Sequence, residues 1–243
     1  MVIAVVDSGI GGLFVLDALC KKYPGEHYIY YSDNLFAPYG IRNAEFLKNR
    51  LYEISLFLTG MGAEEIVVAC NTMGVTAAEH VSQFVSVPMT WIYPEAYPEF
   101  EKTLVMCTPM SAESARVEEL VKRGATLIAD PRLASIAESA GGASRAAEEY
   151  LENILGCRRG YDTVSLGCTH YIYFAETIKR LTGAVRMYDG VDGVVRRAAR
   201  HITGEEAFRI DMVFSGEDES VKYRAVLGNI AAARAGSGHF RGI

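Results

Sequence analysis

The chain has 243 residues, half of them apolar and 22% charged, which excludes a disordered chain and leaves room for one large domain or two modest ones. Its 24 Lys and Arg against 30 Asp and Glu give a net charge of −6 with no long block of one sign, so nucleic acid is excluded as the main partner. A small acidic ligand remains compatible, because helix termini act locally whatever the net charge.

The first run, "VIAVV" (2–6), reads as a strand rather than a signal peptide, since no basic segment precedes it and Asp7 follows. Apolar residues at helical spacing predict a helix over 13–23, closed by Pro24. "YIYY" (28–31) is the next strand, a helix follows over 43–61, and "EIVVA" (65–69) and "VPMTWI" (87–92) are strands again. After a proline-containing crossing, strands are expected at 103–107, 125–128, 162–166 and 184–188. Helices at 111–123, 143–155, 170–181 and 191–202 alternate with them. Alternation of this kind predicts α/β architecture with mainly parallel sheets. No apolar run approaches about 18 residues, so no membrane span is expected.

Five cysteines stand at 20, 70, 107, 157 and 168, an odd number without a C-x-x-C. That pattern predicts reduced thiols and a cytoplasmic protein. Two of them share a context: "EEIVVACNT" (64–72) and "YDTVSLGCTH" (161–170) each run from an acid through a strand to Cys and Thr. Cys70 and Cys168 are therefore expected at the carboxyl ends of two equivalent strands, the edge where open α/β sheets bind ligands. Thr72 and Thr169 are placed to cap the following helices, and a thiol at a helix N-terminus should have its pKa lowered from about 8.5. A single such cysteine would read as packing; the matched pair favours chemistry.

"VVDSGIGG" (5–12) places Asp7 and Ser8 after a strand and before a helix, with glycines that let backbone N–H groups converge on an anion. It fails as a dinucleotide fingerprint because Phe14 stands where a third glycine belongs. His170, two residues after Cys168, can accept, donate or orient a proton. "PYG" (38–40) is a turn, and Glu138 lies on a short helix after "ADP".

Taken together, "DSGIGG" (7–12), "APYG" (37–40), "ACNT" (69–72) and "LGCTHY" (166–171), in this order, resemble the glutamate racemases of the aspartate/glutamate racemase superfamily. The resemblance implies two similar flavodoxin-like three-layer domains with the active site in the cleft between them. Its natural division here is 1–93 plus 190–243 for a discontinuous first domain and 94–189 for the second. It implies interconversion of L- and D-glutamate without cofactor or metal, supplying D-glutamate for peptidoglycan. Cys70 and Cys168 would be the two bases, Asp7 assisting the first, His170 the second, with Glu138 as a further assisting acid. Ser8, Pro38, Tyr39, Gly40, Asn71, Thr72, Thr108 and Thr169, together with Asp7 and His170, would hold the substrate. The sequence departs from the family pattern at Ile41, at Met73, at Ser111 in place of a second threonine and in "YIYF" (171–174). The alternatives are a related racemase acting on aspartate or another small amino acid, a cysteine hydrolase, or a non-catalytic relative; a homodimer is compatible with each.

Overall fold

A computed structural model of the chain describes residues 1–98, 101–198 and 208–236 and arranges its strands in two parallel sheets. The chain begins β1 (Val2–Asp7), α1 (Leu13–Lys22), β2 (His27–Ser32), α2 (Ala44–Gly60) and β3 (Glu65–Val68). α3 (Asn71–Met73), a π-helical turn (Gly74–Ala78) and α4 (Glu79–Val81) then lead to β4 (Met89–Trp91). The second set is β5 (Thr103–Cys107), α5 (Pro109–Ala112), α6 (Ala115–Lys122), β6 (Thr126–Ala129), α7 (Leu133–Ala140) and α8 (Arg145–Leu155). It continues with β7 (Thr163–Gly167), α9 (Ala175–Thr182) and β8 (Arg186–Tyr188). α10 (Val191–Ala198), β9 (Arg209–Phe214) and α11 (Ser220–Gly236) complete the described chain.

The first sheet has the order β4-β3-β1-β2-β9 and the second β6-β5-β7-β8, with every pairing parallel. β9 pairs with β2 from His27 opposite Arg209 to Ser32 opposite Phe214, so the chain returns to the first sheet after building the second. Alternation along β1 sends Ile3 and Val5 to a core shared with α1, α10 and α11. Ala4 and Val6 face Leu47, Leu51, Ile54 and Leu58 of α2. In the second sheet Leu104, Met106, Val164 and Leu166 pack against α7, α8 and α9.

In each sheet the second strand is laid on one side of the first and the third on the other. The strand order therefore reverses between β1 and β3, and again between β5 and β7. Crevices at such reversals, beyond the carboxyl ends of the strands, are where α/β sheets bind ligands. Asp7 and Cys70 stand at the first reversal, Thr108 and Cys168 at the second.

Several expected elements differ in detail. The helix expected over 111–123 is broken at Ser114, whose hydroxyl caps α6 by accepting from the Val117 N–H. The one expected over 170–181 opens as a 3-10 segment, Thr169–Phe174, before α9. The expected strand at 87–92 is ordered only over β4. Residues 199–202 of the helix expected over 191–202 lie outside the described residues. Among the described residues no helix is long and apolar enough to cross a membrane.

One buried group sets a pH dependence for this fold. Glu65, at the start of β3, is fully buried; one carboxyl oxygen accepts from Thr90 Oγ1 at 2.8 Å and the other has no partner among the described residues. Burial raises its pKa from 4.5 to about 7, against the opposing pull of the Thr90 bond. Because the folded state keeps a proton that the unfolded state releases, stability falls as pH rises between those two values and flattens above about 7. In urea unfolding at pH 5 and pH 8, Glu65→Gln should remove a pH-dependent loss on the order of 1–3 kcal/mol. A wild-type slope that persists in the variant would place the titration elsewhere.

Candidate active site

The loop after β1 is fixed from both sheets. The Gly9 N–H donates to Asp7 Oδ1 at 2.8 Å and the Ile10 N–H to Glu138 Oε2 at 2.9 Å. Tyr30 donates its hydroxyl to the Gly9 carbonyl at 2.6 Å, and Tyr173 donates to the Ile10 carbonyl at 3.0 Å. The expected convergence of amides on an anion is present, and the anions are the protein's own carboxylates. Glycine is required here by proximity. A Cβ at Gly9 would overlap the Glu138 carboxylate, and one at Gly11 would come within 2.6 Å of Thr169 Oγ1 and 2.8 Å of His170 Nδ1.

Cys70 is the residue before α3, and Cys168 the residue before the 3-10 segment; both are 6% exposed. They occupy the N-cap positions themselves, so Thr72 and Thr169 are not caps as expected. Those hydroxyls bond elsewhere: Thr72 to Thr108 at 2.9 Å, and Thr169 to Asp7 Oδ2 at 3.4 Å. The expected lowering of the thiol pKa is also corrected at Cys70. Burial, then the like charge of Asp7, pushes this thiol well above its usual value, while the Met73 backbone amide and the Ser8 hydroxyl pull against them. The helix N-terminus acts with the expected sign and is outweighed by desolvation. Asp7, fully buried, is raised to about 6, mainly by burial, with His170 and the Gly9 amide opposing.

On the other side, Cys168 Sγ lies 3.9 Å from His170 Nδ1, and His170 Nε2 lies 2.7 Å from Glu138 Oε2. Burial alone would lower His170, but its bonds to Cys168 and Glu138 outweigh it and hold the imidazole well above its ordinary value. Burial would likewise raise Glu138; His170, the Ile10 amide and Lys222 bring it below the usual carboxylate range. Glu138 is thus held as a carboxylate against a protonated imidazole.

Three hydroxyls meet between the sheets: Thr108 lies 2.9 Å from Thr72 and from Ser111, and Ser111 lies 3.2 Å from Thr72. Gly40 abuts them, since a Cβ there would come within 2.7 Å of Thr108 Cβ. Pro38 follows a cis peptide bond and leads into the buried Tyr39 and Gly40, with Tyr39 donating its hydroxyl to Asp33. Arg50 holds the same carboxylate with two bonds, at 2.7 and 2.9 Å. Asn71 is 1% exposed, and neither its Oδ1 nor its Nδ2 has a partner among the described residues.

The structure therefore gathers Asp7, Ser8, Cys70, Glu138, Cys168, Thr169 and His170 through direct bonds or electrostatic contact, while Thr72, two residues after Cys70, bonds Thr108 in a separate hydroxyl cluster. Tyr39 adjoins them: burial first, then the charges of Asp33 and Cys70, pushes its phenol well above the ordinary value. Pro38 stands at the edge, half-buried. Sequence reasoning did not select Asp33, Arg50, Lys222 or Tyr223. The placement of Asp33 after "YIYYS", at a strand's carboxyl end, was the available signal for the first. Cys20 packs on the core at α1, Cys107 is buried on β5, and Cys157 is exposed. Among the described residues no group of three or more His, Cys, Asp or Glu is arranged to hold a metal ion.

Residues 15–198 match the family model described as Asp/Glu/Hydantoin racemase. A glutamate racemase of Campylobacter curvus is 30% identical over 92% of this chain and 89% of its own length. The crystal structure of a glutamate racemase from Thermus thermophilus, in complex with beta-chloro-D-alanine, is 26% identical, with a TM-score of 0.77 over 94% of this chain and 92% of that one. The Escherichia coli glutamate racemase structure shares the fold, with a TM-score of 0.81 at 23% identity, covering 94% of each chain. The strand-end cysteines, the two-sheet topology and these matches lead to one conclusion: this chain belongs to the aspartate, glutamate and hydantoin racemase family, and it is an isomerase of the racemase class.

Proposed function

We propose that the protein interconverts L- and D-glutamate by a two-base mechanism in which Cys70 and Cys168 exchange protons with opposite faces of Cα. The observation that carries this reading is that each thiol has its own proton partners, Asp7 and Ser8 beside Cys70, His170 and Glu138 beside Cys168. The relatives named glutamate racemase, at about 30% identity over most of the chain, support glutamate as the substrate.

In this reading Cys168 removes the proton from L-glutamate and Cys70 supplies one to the other face; the roles reverse from D-glutamate. A Cα–H beside a carboxylate is a weak acid, so charge developing on the carbanion must be met by fixed donors. The unpartnered Asn71 amide and the amides at the start of α3 are such donors, with Ser8, Thr72, Thr108 and Thr169 holding the amino acid's polar groups. Asp7, at about 6, can trade a proton with the Cys70 side near neutral pH. His170 can receive or return the proton that Cys168 exchanges. Racemisation of this kind needs no cofactor beyond these side chains. The cytosol, where its five free cysteines stay reduced, suits it, and D-glutamate for peptidoglycan is the product's use.

We assign residues 1–93 with 190–243 to one unit and 94–189 to the other, hinged near Tyr93 and Gly190. Return of β9 to β2 supports this division. Gly190, with φ of +78°, packs where a Cβ would come within 2.9 Å of the Tyr93 carbonyl. Both cysteines are buried, so the units must part for substrate to enter. Structures with and without glutamate should differ by a rotation at these two crossings; identical cleft widths would reject the hinge.

Purified protein should racemise both enantiomers of glutamate in a circular dichroism assay without added cofactor, and turn over aspartate far more slowly. Cys70→Ala and Cys168→Ala should each lower the rate by at least about 10²-fold, the lower range for a general acid or base. Cys20→Ala should not, and near-normal activity in either active-site variant would remove that thiol from the mechanism. In D₂O, early D-glutamate formed from L-glutamate should carry deuterium at Cα while recovered L-glutamate stays largely protiated. Substantial protium in that early product would point to a single base serving both faces.

A further inference from the structure

Among the described residues Glu138 bonds or pairs with four polar groups, and two of them come from α11, the last element of the described chain. Oε2 faces the Ile10 N–H at 2.9 Å and His170 Nε2 at 2.7 Å. Oε1 faces the Tyr223 hydroxyl at 3.4 Å and Lys222 Nζ at 3.6 Å. Tyr223 is fully buried, and its oxygen also lies 2.8 Å from Ser32 Oγ on β2. A phenol has one proton to give, so donation to Glu138 lets Ser32 donate to Tyr223. The result is a chain of contacts from Ser32 through Tyr223, Glu138 and His170 to Cys168, crossing from the first sheet to the second. α11 is packed in place by Val226 and Ile230, which join the α1 side of the first core.

We propose that Lys222 and Tyr223 are positioning residues for the Cys168 half of the reaction: together they fix the free oxygen of the Glu138 carboxylate, so that its other oxygen stays directed at His170. The proposal rests on the assignment of Cys168 and His170 to one proton-transfer step. Among the described residues no bond from α11 reaches Cys70, whose partners Asp7 and Ser8 stand at the end of β1 and in the loop after it. Loss of the α11 contacts should therefore slow one proton transfer and spare the other.

A carboxylate held by one oxygen alone can rotate about its last torsion, and a rotated carboxylate leaves His170 with neither its charge partner nor its orientation. Lys222 adds a cation that also contacts Glu219 at 2.8 Å and lies 5.8 Å from the Tyr223 ring centroid, so it is itself held beside Glu138. The other ionisable groups around the pair are Asp7 on β1, Cys168, and the phenols of Tyr30 and Tyr173. Tyr30 packs against Tyr223 with ring centroids 6.0 Å apart, a contact between rings that Tyr223→Phe keeps.

The test compares wild type, Lys222→Met/Tyr223→Phe and Lys222→Arg as full-length chains. Rates and primary isotope effects are measured with L- and D-glutamate deuterated at Cα. The double variant should lose about tenfold in kcat, less than the 10²–10⁴ of a general acid or base removed outright, with little change in KM. Its isotope effect should rise with deuterated L-glutamate, whose deuteron passes to Cys168, and fall with deuterated D-glutamate, whose deuteron passes to Cys70. Lys222→Arg should restore most of the rate. Titration of the His170 ring by NMR, without substrate, should move downward in the double variant, because the freed Glu138 carboxylate no longer stays against the imidazolium; an upward move would report only the lost Lys222 charge and would overturn the proposal. An unmoved His170 titration overturns the proposal, and so does activity that is unchanged or that falls with isotope effects changing in parallel from both sides. If the double variant does not fold, Tyr223→Phe alone carries the same readouts. A wild type that does not racemise glutamate would overturn the substrate assignment, and the NMR titration would then decide the positioning role by itself.

Discussion

A carboxylate set largely out of water between two sheets must be met by donors, and Glu138, its side chain 20% exposed, imposes that demand on several elements at once. The Ile10 amide, the His170 ring and the first turn of α11 all converge on it. Much of the surrounding architecture reads as the means of meeting that demand. Gly9 clears the space the carboxylate occupies, Tyr30 and Tyr173 hold the carbonyls of the same loop, and the return of β9 to β2 brings α11 within reach. Two parallel sheets could have been joined in many ways. This junction places a pair of topological reversals face to face, each carrying a cysteine.

The two cysteines stand in similar backbone settings and different electrostatic ones. Cys70 shares its surroundings with a carboxylate and is pushed up by burial and like charge. Cys168 has an imidazole as its neighbour, itself backed by Glu138. A symmetrical reaction at Cα does not require symmetrical bases. The proposed two-base reaction needs one thiol to hold a proton when the other does not, and unlike partners on the two sides suit that difference.

Much of this was legible in the residues themselves. The β-branched runs located every strand of both sheets except the returning β9, and strand-end placement singled out Asp7, Cys70 and Cys168. What the sequence could not display was distance in space. The helix N-terminus at Cys70 was visible, whereas the burial and the nearby Asp7 that outweigh it were not. Glu138 looked like any helix carboxylate until α7 was set against the β1 loop. Lys222 and Tyr223 carry no motif at all. They lie on a helix interrupted by Gly228, after an edge strand in which apolar residues alternate with Arg209 and Asp211, and such patterns announce a surface more readily than a site.

The hydroxyl cluster of Thr72, Thr108 and Ser111 has a consequence for how the cleft responds to its surroundings. These groups meet between the two sheets without carrying charge, and all three are buried. The Thr169 and Tyr173 contacts across the same junction are likewise made by neutral donors. Mobile ions screen attraction between exposed charges over roughly 10 Å at 0.1 M salt, and they have little hold on short bonds from hydroxyls shielded from water. The hydroxyl part of this junction is thereby insensitive to ionic strength, whereas the Lys222–Glu138 pair across it, with the lysine a third exposed, is the part that added salt weakens.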